Sequence, residues 1–226
     1  MKKKRKLIIV GDSAFAEIAQ EYFEVDTDYS VVCFAVESNF RLRHQLNGLP
    51  VLDFETINNH FPPLDHDIFV AITYTQLNRL RTRLVKEANC MGYHLASYIS
   101  PRAFVWRNVT FGEHCFIFEG NTIQPFVTVG RNVVMWSGNH IGHHSVVRDN
   151  CFISSHAVIS GFCDVGENSF IGVNATLSNN VALGKDNWLG PNTTIMKDTE
   201  PGALYKTVQS ELSKISTKRF FKIRTD

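Results

Sequence analysis

The sequence has no apolar run near the roughly 20 residues that cross a bilayer. Its first apolar run, Leu7-Ile8-Ile9-Val10, is too short for the core of a signal peptide. A cytoplasmic protein is expected. There is no CxxC pair. The five cysteines (Cys33, Cys90, Cys115, Cys151 and Cys163) are odd in number and scattered, which argues against a disulfide framework or a zinc knuckle. Charge excess is also missing. The chain has 23 Lys and Arg against 22 Asp and Glu, a net charge of +1, so composition offers nothing to nucleic acid or to an anionic membrane. The one strong cluster, Lys2-Lys3-Lys4-Arg5-Lys6, reads as a solvated basic end ahead of the first strand. No GxGxxG occurs, and Gly11 stands alone in the first candidate phosphate loop, so NAD is not expected.

What is present is a six-residue period. Every sixth residue from Val105 to Ile195 is large and apolar: Val105, Phe111, Ile117, Ile123, Val129, Met135, Ile141, Val147, Ile153, Ile159, Val165, Ile171, Leu177, Leu183, Leu189 and Ile195. With about half of residues apolar, such a run has a chance of order 10⁻⁵. Two residues before each lies a small, β-branched or Asn residue, from Ala103 and Val109 through Asn121, Ser145 and Ala157 to Thr193. Glycine often follows the large residue, as at Gly112, Gly130, Gly142, Gly166, Gly172, Gly184 and Gly190. A helix needs period 3.6 and a meander needs turns every 8–12 residues. Period six with two inward columns fits a triangular prism of short parallel strands, three hexads to each coil. Roughly five coils at about 4.8 Å each predict a prism about 25 Å tall. The glycines are expected at tight corners, where positive φ is needed. Cys115, Cys151 and Cys163 fall in the small inward column and read as core filler.

The segment before the repeat reads as a small parallel α/β unit. Lys6 to Val10 is a buried strand, followed by the loop Gly11-Asp12-Ser13-Ala14 and a helix to about Phe23. Tyr29 to Val36 is a second strand ending at Glu37. Asp67 to Thr73 is a third, ahead of a helix over Gln76 to Met91. Ligands of such sheets bind at the carboxyl ends of the strands. That points to the loops at Gly11–Ala14, Glu37–Phe40 and Thr73–Tyr74, where a helix N-terminus beside Ser13 can hold a phosphate. A plain strand-to-helix turn is the alternative. After Pro201 and Gly202 a short helix and a basic tail (Lys214, Lys218, Arg219, Lys222, Arg224) are expected, either meeting the phosphates of a coenzyme or merely solvated. The domain limits predicted are 1–98, 99–200 and 201–226.

Histidines cluster at one level of the prism: His140, His143, His144 and His156. His143 follows Ile141 by two and sits at a corner pointing out. Neither His140 nor His144 occupies an inward column. Eighteen residues after His143, one coil on, is Gly161, whose N–H no side chain of its own obstructs. Acyl transfer from a thioester needs a base for the acceptor proton and a donor for the oxyanion. An imidazole suits the first task, and the Gly161 N–H is a candidate for the second. Surface histidines beside a corner are the bland alternative. A zinc site of the kind used by hexapeptide-repeat carbonic anhydrases requires a third imidazole two coils earlier. Phe104, Arg107 and Asn108 stand at those places, so no metal is expected.

The order of a small α/β domain, the joint Ile99-Ser100-Pro101-Arg102-Ala103, the hexads and the segment Ile141-Gly142-His143 resembles one family over almost the whole chain. It is the sialic acid O-acetyltransferase and bacillosamine-pathway N-acetyltransferase family of nucleotide-sugar enzymes. Ala71-Ile72-Thr73 is similar to that family's usual Ala-Ile-Gly. The resemblance implies a Rossmann-like N-terminal domain followed by a left-handed parallel β-helix. It implies a homotrimer with active sites between adjacent β-helices, acetyl-CoA as cosubstrate and a nucleotide sugar held by the N-terminal domain. By position it implies His143 as base and Gly161 as the N–H near the thioester carbonyl. Val173 and Pro191 match the pantetheine column, and Gly11, Ser13, Glu37 and Thr73 the nucleotide-sugar loops. Three departures stand out. His144 replaces the usual Asp or Glu after the base, Phe152 stands where a second His is common, and the first loop has a single glycine. The expected reaction is N-acetylation of a nucleotide-linked amino-deoxysugar. O-acetylation of a sugar hydroxyl and a non-catalytic trimeric scaffold are the alternatives.

Overall fold

The computed structural model describes residues 5–223. Lys2, Lys3 and Lys4 of the basic cluster and Arg224 of the tail lie outside them. The chain begins with β1 (Arg5–Val10), α1 (Ala14–Asp26), β2 (Tyr29–Val36), β3 (Gln45–Leu46), β4 (Leu49–Asp53), β5 (His66–Val70), α2 (Arg79–Cys90) and β6 (His94–Leu95). They form one sheet in the order β3-β4-β2-β1-β5-β6, parallel except for β3. Leu7 to Val10 and all of β5 are buried, as parallel strands covered on both faces must be.

Two details differ from expectation. A hairpin joins β3 to β4 through Asn47 and Gly48, with φ of 50° and 77°. Asn-Gly is the turn pair that reaches this geometry at least cost. The helix α2 begins at Arg79 rather than Gln76, because Gln76, Leu77 and Asn78 hold φ of 53°, 49° and 67°. No right-handed helix includes such values.

From Tyr98 onward the chain is a left-handed parallel β-helix of two-residue strands. Its three faces hold seven, six and five strands. The first runs from Tyr98–Ile99 to Leu204–Tyr205, the second from Phe104–Val105 to Thr194–Ile195, and the third from Thr110–Phe111 to Ala182–Leu183. Strands pair with those one coil away, as Phe116 with Val134 and His140 with Val158. Seven strands on the first face make it about 29 Å tall at the usual strand spacing. The large column from Ile117 to Ile195 is buried, and Val105 and Phe111 pack against it at the open end. Asn121, Asn139 and Asn187 of the small column are buried too, and each donates its side-chain N–H groups to backbone carbonyls of the corners.

The glycines that follow the large column are not there for positive φ, and the expectation is corrected. Their φ values are ordinary, and the left-handed residue comes two places later, at every sixth position from His114 to Asn192. What the glycines provide is clearance. A Cβ on Gly142 would lie 2.5 Å from the Gly161 nitrogen, and one on Gly112 would lie 2.6 Å from the Arg131 nitrogen.

The α/β domain rests on the first face. The outward residues there (Tyr98, Phe116, Val134, Phe152, Phe170 and Trp188) form an apolar column, aromatic except for Val134, in which Phe116 packs against Phe15, Phe23 and Phe69. Arg81 of α2 is fully buried in this junction. It donates to the carbonyls of Thr73, Asn132, Asn150 and Cys151 and to Oδ1 of Asn132 and Asn78, over 2.8–3.2 Å. Burial without a carboxylate partner pushes its pKa down to about 10. Asn132 Oδ1 also accepts from His114 Nδ1 (2.9 Å), while His114 Nε2 accepts the Val70 N–H (2.8 Å). His114 is thus held as a neutral imidazole, its pKa lowered to about 3 by burial and then by the nearby Arg81 charge. Beyond Tyr205 the described residues, up to 223, are exposed and include the short helix α3 (Thr217–Phe220).

Candidate functional site

The loops after β1, β2 and β5 lie side by side, because these three strands are adjacent and parallel. Gly11, Ser13, Glu37 and Thr73 therefore share one end of the sheet. Gly11 holds φ of 116°, and a Cβ there would sit 2.9 Å from the Ala71 carbonyl oxygen, so no other residue fits. Ser13 stands at the N-terminus of α1, and its hydroxyl makes no capping bond, which leaves it facing solvent. Glu37 pairs with Arg83 (2.9 Å) and Asp12 with Arg43 (3.2 Å), so two guanidinium groups border this end of the sheet. The Thr73 carbonyl is taken by Arg81.

The histidines separate by their place on the prism. His140 lies on the second face, half-buried, directly before an inward residue. His156 belongs to the edge between the first and second faces. His143 and His144 occupy the edge between the second and third, both exposed. Their Nδ1 atoms are 3.1 Å apart. The His143 N–H donates to Gln124 Oε1 (2.9 Å), which fastens the corner below it. A Cβ on Gly161 would lie 2.9 Å from Cε1 and 3.0 Å from Nε2 of His143. The imidazole therefore rests over the bare α-carbon of the next coil, and Gly161 is needed for that placement.

Two features of this edge escape a reading by hexads. The Gly161 N–H is not free, because it donates to Asn179 Oδ1 at 2.9 Å. Another acceptor reaches it only by taking the place of that oxygen. Second, Phe126, His144 and Phe162 stack along the edge, with ring centroids 4.6 and 4.8 Å apart and planes within 28° and 17°. Phe162 also meets His143 edge to face at 5.0 Å. Both Phe side chains are more than half exposed, at 58% and 54%. Stepping by eighteen from His144 locates them.

Val173 and Pro191 follow inward residues of the first face, so they lie on the edge between the first and second faces, not on that of His143. Three sets of residues thus occupy three places on one chain. The strand ends belong to the domain docked on the first face, Val173 and Pro191 to one edge, and His143 to the edge opposite that docked domain. Phe152 belongs to the domain junction. It is buried, packs on Phe170 and Tyr74, and lies under the Arg81 guanidinium, so no titratable group is exposed at that position.

The inward cysteines Cys115, Cys151 and Cys163 are buried in the prism core. Burial pushes the Cys115 thiol up to about 11 and that of Cys151 to about 12. Among the described residues no group of three or more His, Cys, Asp or Glu is placed to hold a metal ion, and no helix is long and apolar enough to cross a membrane.

Solved structures share this architecture. The acetyltransferase domain of PglB from Neisseria gonorrhoeae is 23% identical, covers 88% of this chain and 95% of its own, and superposes with a TM-score of 0.79. A histidine-to-asparagine variant of perosamine N-acetyltransferase from Caulobacter crescentus, in complex with CoA and GDP-perosamine, is 24% identical with coverages of 88% and 92% and a TM-score of 0.78. WeeI from Acinetobacter baumannii is 18% identical with coverages of 88% and 94% and a TM-score of 0.75. No protein-family model and no curated protein matches the sequence. These likenesses establish the fold.

Proposed function

We propose that the chain is an acetyl-CoA-dependent N-acetyltransferase acting on the amino group of a nucleotide-linked amino-deoxysugar. The observation that carries this is the His143 imidazole at an open prism edge, seated over the α-carbon of Gly161. The amine nitrogen attacks the thioester carbonyl, the C–S bond breaks and CoA leaves as the thiol. His143 Nε2 takes the proton that the amine loses and returns it to the departing sulfur. The Gly161 N–H, turned from Asn179 to the thioester oxygen, stabilises the oxyanion. No covalent enzyme intermediate is involved.

The nucleotide diphosphate belongs at the strand ends, against Gly11 and the Ser13 helix terminus, with Glu37 and Thr73 beside it. The C. crescentus neighbour, bound to CoA and a GDP-sugar, supports a donor and an acceptor of these classes. Pantetheine is assigned to the edge of Val173 and Pro191.

Within one chain these places do not meet. The α/β domain covers the first face, and His143 stands on the edge opposite. Convergence requires a second copy, whose exposed edge with Phe126 and Phe162 lies against its neighbour. A homotrimer around an axis parallel to the prisms closes this arrangement with equivalent contacts.

The test is release of CoA thiol from acetyl-CoA with a panel of nucleotide-linked 3-amino and 4-amino deoxysugars. Turnover with one of them supports the reading. Turnover only with sugars lacking an amine moves the acceptor to a hydroxyl. No turnover, with no rise in melting temperature on adding acetyl-CoA at 100 times a micromolar Kd, contradicts it, since a bound ligand at that excess stabilises by about 2.7 kcal/mol.

A further inference from the structure

We propose that His144 is a positioning residue. Its Nδ1 accepts the Nδ1–H of His143, so that His143 presents an unprotonated Nε2 at the open edge. This rests on His143 being the base. The two Nδ1 atoms are 3.1 Å apart, and a hydrogen bond between neutral imidazoles needs the proton on one and the lone pair on the other. The partner of one ring nitrogen decides which state the other holds.

The surroundings of His144 show that its ring is held rather than draped on the surface. Phe126 and Phe162 stack on its two faces, at 4.6 and 4.8 Å. All three residues occupy the left-handed position of their coils, with φ of 64°, 59° and 59° for Phe126, His144 and Phe162. Elsewhere that position is filled mostly by Asn, as at Asn132, Asn150, Asn168 and Asn174, otherwise by Gly120, Gly138, Asp186, His114 and His156. Asn, Gly and His adopt such φ readily, whereas the bulky Phe126 and Phe162 there are outliers. Strained backbone of this kind persists where a site needs it. Three rings therefore stand, one above another, at the one edge that carries His143. The stack fixes the plane of His144, and that plane aims Nδ1 at His143. The edge-to-face contact of Phe162 with His143, at 5.0 Å, holds the second ring from its other side. A neutral imidazole in this role sets the tautomer without supplying the negative charge of a carboxylate.

The direct test is nitrogen-15 NMR of the histidine ring nitrogens in the full chain, which needs no substrate. Wild-type protein should show His143 protonated at Nδ1. His144→Phe keeps the stack but removes the acceptor, and His143 should then shift to protonation at Nε2. CoA release should fall by about 10²-fold with the melting temperature unchanged. His144→Asn keeps an acceptor and suits the left-handed backbone, and should restore part of both readouts. An unchanged His143 tautomer in His144→Phe overturns the proposal whatever the activity does. Full activity in His143→Ala overturns the assignment of the base instead, and leaves the tautomer result to judge the pairing.

Discussion

The junction between the domains contains a pH-dependent element whose size follows from its contacts. His114 Nε2 accepts the Val70 N–H and its Nδ1–H donates to Asn132 Oδ1 beside the buried Arg81 cation. Protonation of Nε2 would remove the acceptor of a buried N–H and place two positive charges side by side. With its pKa lowered from 6.5 to about 3, the folded state binds fewer protons than the unfolded one between these values. Stability therefore rises with pH across that window. The contribution of His114 is complete above about pH 6.5 and is lost on acidification, at about 1.4 kcal/mol per unit, or about 2 kcal/mol by pH 5.

His114→Asn isolates this effect, because Asn is the usual residue of that column and tolerates the φ of 59° found there. At pH 7.5 the variant should be less stable by about 1–3 kcal/mol, the cost of a buried N–H without a partner. Urea denaturation of both proteins at pH 7.5, 6 and 5, followed by tryptophan fluorescence, should show the gap narrowing by about 2 kcal/mol as pH falls. Parallel curves, with the gap the same at pH 5 as at 7.5, would refute the reasoning.

Gly142→Ala and Gly161→Ala should fail differently. The first drives a Cβ to 2.5 Å from backbone and should cost about 3 kcal/mol or prevent folding. The second meets mainly the His143 ring and should lower activity by about 10²-fold with the melting temperature nearly kept. Arg81→Met removes the donor to the carbonyls of Thr73, Asn132 and Asn150. It should destabilise by about 3 kcal/mol or more and separate unfolding of the two domains in denaturation followed by probes in each; a single transition at the wild-type midpoint contradicts this. Mixing His143→Ala with Glu37→Ala, after subunit exchange, should recover activity that neither variant shows alone, since base and acceptor loop then come from different copies. Activity no greater than the sum of the parents would place both in one chain.

The β-helix was legible in the sequence because each coil must fill the same narrow interior. That demand repeats the large and small columns without a break from Val105 to Ile195. The glycines were legible in place but not in purpose, since a close approach between coils leaves the same mark as a turn. The docked face was also written in the sequence, as an aromatic at every eighteenth residue from Tyr98 to Trp188 with Val134 the one exception, but the six-residue period alone does not mark it. The edge pair His143–His144 is local and readable. The ring stack, the Asn179 bond to Gly161 and the Arg81–His114 cluster depend on which coils and helices meet, and no short window of sequence contains that. Asn47-Gly48 was a readable hairpin signal, and it adds an edge to the sheet rather than a part of the site.

The most direct test of the central claim is the initial rate of CoA release with acetyl-CoA and a nucleotide-linked 4-amino-deoxysugar, wild type against His143→Ala. The account predicts a loss of about 10²–10⁴-fold at neutral pH, with the melting temperature of the variant and its stabilisation by acetyl-CoA unchanged. A variant that turns over at the wild-type rate would contradict it.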